Sequence, residues 1–96
     1  MMGEIRSRFT VETRRGVTCL IDCASSHKTM TITNDAECVV RFLHRRGLAG
    51  PGQRVVYKDT TGVWDELTHD GMGTFTGFAP LRVDTADEAV KMVTRP

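Results

Sequence analysis

The stretch Asn34-Asp35-Ala36-Glu37-Cys38-Val39-Val40-Arg41-Phe42-Leu43-His44-Arg45-Arg46-Gly47 decides the fold, because it reads as a helix set between two groups of strands. Asn34 is a capping residue, and Glu37 stands three positions on, where it can reach back as in a capping box. Ala36, Val39, Val40 and Leu43 fall at i, i+3, i+4 and i+7, one apolar stripe. Gly47 suits the left-handed cap that ends a helix. Leu48 can close onto Leu43 in the Schellman manner, and Arg45 and Arg46 complement the negative end of the helix dipole. Ala49-Gly50-Pro51-Gly52 stops the helix.

Upstream, Ile5 to Glu12 and Val17 to Asp22 alternate apolar with polar residues around Thr13-Arg14-Arg15-Gly16, the pattern of a bulged β-hairpin. Pairing Thr13 with Val17 puts Val11 opposite Cys19, Phe9 opposite Ile21 and Arg8 against Asp22. Lys28 to Thr33, with Met30 and Ile32 among three threonines, reads as a third strand.

Downstream, Gln53 to Lys58 and Val63 to Thr68 form a second hairpin around Asp59-Thr60-Thr61-Gly62, a type I turn signature. Thr74 to Ala79 follows as a further strand after the turn 69–73. Thr85 and Glu88 repeat the capping box before Ala86, Ala89, Val90 and Val93 on one helical face. The expected fold class is α+β: a mainly antiparallel sheet with two helices packed on one face, in the order βββα-βββα. Residues 1–96 read as one domain; the echo between the two hairpin turns would suit a pseudo-repeat of 1–48 and 53–96, and turn chemistry alone accounts for it equally well.

Ninety-six residues allow one modest core. An apolar fraction of 40% against 26% charged argues for a globular chain. Three cysteines, an odd number, form no closed disulfide set, and charges among residues 1–10 stand where a signal peptide needs an apolar run; both point to the reducing cytoplasm. No stretch approaches the length of a bilayer span, so no membrane partner is expected. Met2 to Ser7 matches the loose myristoylation pattern, and the same residues read as the start of a strand. Residues 1–54 hold nine Lys/Arg against five Asp/Glu, and residues 55–96 four against seven, so a net of +1 hides halves of +4 and −3.

Four features bear on function. The expected register of the second hairpin puts Val55, Tyr57, Val63, Leu67, Phe75 and Ala79 on the core face. Trp64 and Phe78 then lie together on the opposite, solvent face, with Val56, Lys58 and Glu66 around them. Exposed aromatics rimmed by charge make a partner-binding surface for another protein or a second copy of this chain; the alternative is that strands 1 to 3 or a loop of the same molecule cover this face. Arg14 and Arg15 at a hairpin tip, with Arg41, His44, Arg45 and Arg46 near the end of the first helix, offer a runner-up site for nucleic acid or phosphate. Against it stand the absence of any nucleic-acid-binding motif and an isoelectric point of about 7.8.

Cys19, Cys23, His27, Cys38 and His44 supply zinc-ligand types at the wrong spacing, and Cys19 belongs to a strand facing the core. Cys23, Ser25, Ser26 and His27, and the set Asp65, Glu66, His69 and Asp70, form no catalytic constellation. Asp65 is the oddity, a carboxylate placed beside Tyr57 on the core face and needing a hydrogen-bond partner there. The sequence therefore predicts a small non-catalytic binding module without cofactor or metal, acting by protein contact, of the accessory or inhibitory kind carried by phages and plasmids.

Overall fold

The computed structural model describes the backbone of residues 8–23 and 32–94, and the side chains of residues 8–23 and 36–94. Along the chain run β1 (Phe9–Arg14), β2 (Val17–Asp22), α1 (Ile32–Arg45), β3 (Arg54–Lys58), β4 (Trp64–His69), β5 (Phe75–Pro80) and α2 (Ala86–Thr94). The five strands form one sheet in chain order. Every pairing is antiparallel except β2 with β3, which is parallel because α1 carries the chain back to the starting end of the sheet.

The α+β class and the mainly antiparallel sheet stand, while the order βββα-βββα is corrected to ββαβββα. Ile32 and Thr33, assigned to a third strand, form the first turn of α1. Residues 28–31 of that strand and the side chain of Asn34 lie outside the described residues. The helices are also not on one face. Leu20, Val55, Tyr57, Leu67 and Phe75 pack with Val39 and Leu43 of α1. Val17, Cys19, Val56 and Trp64 pack with Ala89 and Val90 of α2. Val55 and Val56 are neighbours on one strand and so point to opposite faces, which makes the sheet the middle of three layers.

The first hairpin closes through Arg15 (φ 52°) and Gly16 (φ 77°), a two-residue turn with both central residues in the left-handed region. Arg14 therefore pairs with Val17 and Val11 with Leu20, one residue away from the expected bulged register. That slip moves Phe9 and Val11 to the α1 side, where they pack against its cluster. The expected meeting of Arg8 with Asp22 survives: Arg8 Nε and Nη2 donate to the two carboxylate oxygens at 2.9 and 2.7 Å. Tyr57 Oη donates to Asp22 Oδ2 at 2.5 Å, so the buried carboxylate is held both from β3 and from the residue before β1.

Other local signals form as read. Leu48 N–H donates to Leu43 O (2.8 Å) and Gly47 N–H to His44 O (3.1 Å), the paired bonds of a Schellman motif, with Gly47 at φ 70°. Asp59 Oδ1 accepts from the backbone of Thr61 and Val63, and Gly62 N–H donates to Asp59 O, closing the β3–β4 turn. At α2, Glu88 N–H donates to Thr85 Oγ1 while Thr85 N–H donates to Glu88 Oε1, a complete capping box. No helix among the described residues is long and apolar enough to cross a membrane.

Candidate functional site

The exposed aromatic pair expected from the sequence does not form. Trp64 is 2% exposed and Val56 fully buried, both beneath α2. Phe78 lies on the other face, its ring 5.9 Å from that of Tyr57. Two causes combine. α2 covers the face taken to be wet, and a register shift at Thr68/His69 admits an extra residue into β5, so that Phe75 pairs with His69 and Phe78 with Leu67. Phe75 and Phe78, three apart, thus share the α1 side, whereas Ala79 pairs with Glu66 on the α2 side. Val63, expected in the core, is 44% exposed. Lys58 and Glu66 are half-buried on the α2 side, opposite Trp64 and Val56 respectively.

The arginines are divided between layers. Arg14 lies against α2, bonded to Asp87 (2.6 Å) and Glu12 (3.0 Å), and these two carboxylates raise its already high pKa, the bond to Glu12 foremost. Arg15 is exposed at the hairpin tip. On α1, Arg46 stacks over Phe42, whose ring meets Phe9 of β1, while Arg41 lines the side toward β5 and Arg45 is exposed. These five cations do not share one contiguous face. Arg54, which the sequence did not single out, donates from Nη1 to Val93 O (2.6 Å) at the end of α2.

Cys19 and Cys38 lie on opposite sides of the sheet, Cys19 under α2 and Cys38 on α1. Burial pushes the Cys19 thiol pKa up, as for a cysteine packed as a small hydrophobe. Cys23, at the exposed end of β2, places its Sγ 3.1 Å from Thr10 Oγ1. Ser25, Ser26 and His27 lie outside the described residues. Among the described residues no three His, Cys, Asp or Glu side chains converge as a metal site would need. His69 stacks on Phe75 at 4.3 Å, and Asp70 accepts the backbone N–H groups of Met72 and Thr74 within its turn. Those two bonds hold the Asp70 carboxyl below its ordinary pKa.

One concave feature among the described residues is a groove between α1 and the β5 edge. Its lower part, about 550 Å³, is floored by Phe75, Gly77 and Phe78 and walled by Ala36 and Val40, with Glu37 and Arg41 at the rim. Ala36 and Phe78 continue into an upper part of about 370 Å³ lined by Tyr57, Asp59, Thr61 and Asp65. Asp65 is paired with Tyr57 in the β3–β4 register, as the sequence placed it. The tyrosine hydroxyl goes to Asp22 instead, and the Asp65 carboxylate accepts no hydrogen bond from any described residue. Burial, and secondarily the charge of Asp59, raise its pKa.

Beside the groove, β5 pairs only with β4, leaving its outer edge open among the described residues. Leu81 N–H donates inward to Trp64 O. By alternation, the N–H and C=O of Ala79 and Gly77 also turn inward, and those of Phe78 turn outward. The other edge, β1, carries Glu12 and Arg14, whereas β5 carries no charge. A Phe-x-x-Phe spacing interrupted by glycine was the available signal, since it fits a bulged strand and not plain alternation.

Compared with protein-family models, with curated proteins and with solved structures, the chain matches none.

Proposed function

We propose that this chain is a non-catalytic binding module that captures an extended segment of another protein along β5, with guest side chains lying in the groove against α1. The observation that carries this reading is the uncharged open edge of β5 beside an apolar, helix-walled groove. Unpaired strand edges without charge are templates for another strand; β1 is protected by charge, whereas β5 is blunted only at its two ends, by the bulge and by Pro80. Backbone bonds then supply affinity and alternate side chains supply specificity. The bulge at one end of β5 and Pro80 at the other bracket the free run, so a guest pairs over a short length in one register, centred on Phe78. Occupying another protein's segment in this way is a means by which a small accessory or inhibitory protein acts.

Selection from a displayed library of random heptapeptides tests the reading. Captured peptides are expected to lose binding to Ala36→Phe, which fills the groove from α1, while that variant melts like the parent. Peptides that bind Ala36→Phe as well as the parent would sink the proposal. Concentration-dependent self-association blocked by the same substitution would replace the foreign segment with a second copy.

A further inference from the structure

We infer that the upper cavity of the groove is a subsite for a basic side chain, lysine or arginine, of the captured segment, held by Asp65 with support from Asp59. This deepens the strand-capture reading and rests on it for the origin of the guest. A guest residue paired opposite Phe78 directs its side chain to the same face as Phe78. The residue two further along lies opposite Pro80, and Pro80 is paired with Asp65. The guest's second inward side chain therefore arrives at the cavity that Asp65 lines.

The chemistry there favours a cation. The Asp65 side chain is half-buried, and its carboxylate accepts no hydrogen bond from a described residue. Asp59 uses Oδ1 for its own turn, which leaves its charge directed at the same space without neutralising Asp65. Of the cations on the α1 side, Arg8 is engaged by Asp22, Arg46 lies over Phe42 and Arg41 stands at the rim of the lower part, while Lys58 pairs with Trp64 on the other face. Phe78 and Tyr57, edge to face, give an aromatic wall along which the methylene stem of a long basic residue can lie, with its charged head at the carboxylate. A guanidinium or ammonium would form a charge-assisted hydrogen bond with Asp65 and relieve its repulsion with Asp59.

Benzamidine, a flat cation, and benzamide, its neutral counterpart, are the probes, titrated into the ¹⁵N-labelled chain at pH 7. Benzamidine is expected to move the amide signals of Asp65, Thr61 and Phe78 saturably. Asp65→Asn, which keeps the shape and removes the charge, is expected to weaken that binding at least tenfold with an unchanged spectrum elsewhere, and benzamide is expected to leave the signals in place. Equal response to both probes, no response to either, or undiminished benzamidine binding by Asp65→Asn would overturn the inference. The heptapeptide selection separates the two readings. Groove-bound peptides without enriched Lys or Arg would overturn the basic subsite and leave strand capture intact. Benzamidine binding at Asp65 with no peptide captured would support the cation site and remove strand capture.

Discussion

Tyr57 and Asp22 are joined by a 2.5 Å hydrogen bond across the parallel seam of the sheet, with Arg8 gripping the same carboxylate from beyond the start of β1. The bond and burial both drive the tyrosine pKa far above its ordinary value, burial foremost, so the hydroxyl stays a donor at any physiological pH. Tyr57→Phe leaves the ring in place and removes one donor from a buried charge. It is expected to destabilise the fold by about 1–3 kcal/mol in urea unfolding. A variant as stable as the parent would show that Asp22 is satisfied without the tyrosine hydroxyl.

Trp64→Ala is expected to destabilise by about 3–5 kcal/mol, the usual range for emptying a buried aromatic site. Its indole is the centre of the α2 layer, so far-ultraviolet circular dichroism should show helix loss together with the lower melting point. Retention of the parent melting point would contradict the burial described for this residue.

Asp65→Asn should stabilise the chain at neutral pH. The folded-state pKa of Asp65 lies above its unfolded value, so the folded state holds the proton more tightly and stability falls as pH rises through that window. The variant's advantage is therefore expected near pH 7 and expected to vanish in acid, where both states are protonated. Melting curves across pH check the sign, and a constant advantage at every pH would contradict it.

The start of α2 should be acid-sensitive in the opposite sense. Backbone N–H groups of Asp84 and Thr85 hold the Glu88 carboxyl below its ordinary pKa, so this contribution is present above the unfolded value and lost as pH falls through the folded one. Thr85→Ala, removing the other half of the capping box, is expected to cost about 1 kcal/mol. Trp64 fluorescence, reporting the helix above it, is the measurement. No change in the thermal midpoint of Thr85→Ala would remove the cap from the account.

The body of α1, all of α2, the Schellman end at Gly47 and Leu48, the Asp59 turn and the Thr85/Glu88 box were legible because each is set by residues within a few positions of one another; the start of α1 was not, since the helix begins at Ile32, ahead of the cap read at Asn34. The misread features depend on contacts distant in sequence or on one unusual residue. Arg15 adopts a positive φ that its side chain does not advertise, and this alone shifts the first hairpin by one residue. The bulge in β5 moves Phe78 across the sheet and with it the candidate site. That the sheet is covered on both faces, by α1 from the crossover between β2 and β3 and by α2 after β5, depends on contacts distant in sequence. A signal for that was present: Val17-Thr18-Cys19-Leu20 and Val55-Val56-Tyr57 are buried on both faces, as central parallel strands are.

The layering imposes an order on biosynthesis. α2, near the C-terminal end, covers Val17 and Cys19, which emerge from the ribosome some seventy residues earlier. The first hairpin thus waits with one oily flank bare until residues 86–94 follow, an interval in which a chaperone or a neighbouring nascent chain can compete for it.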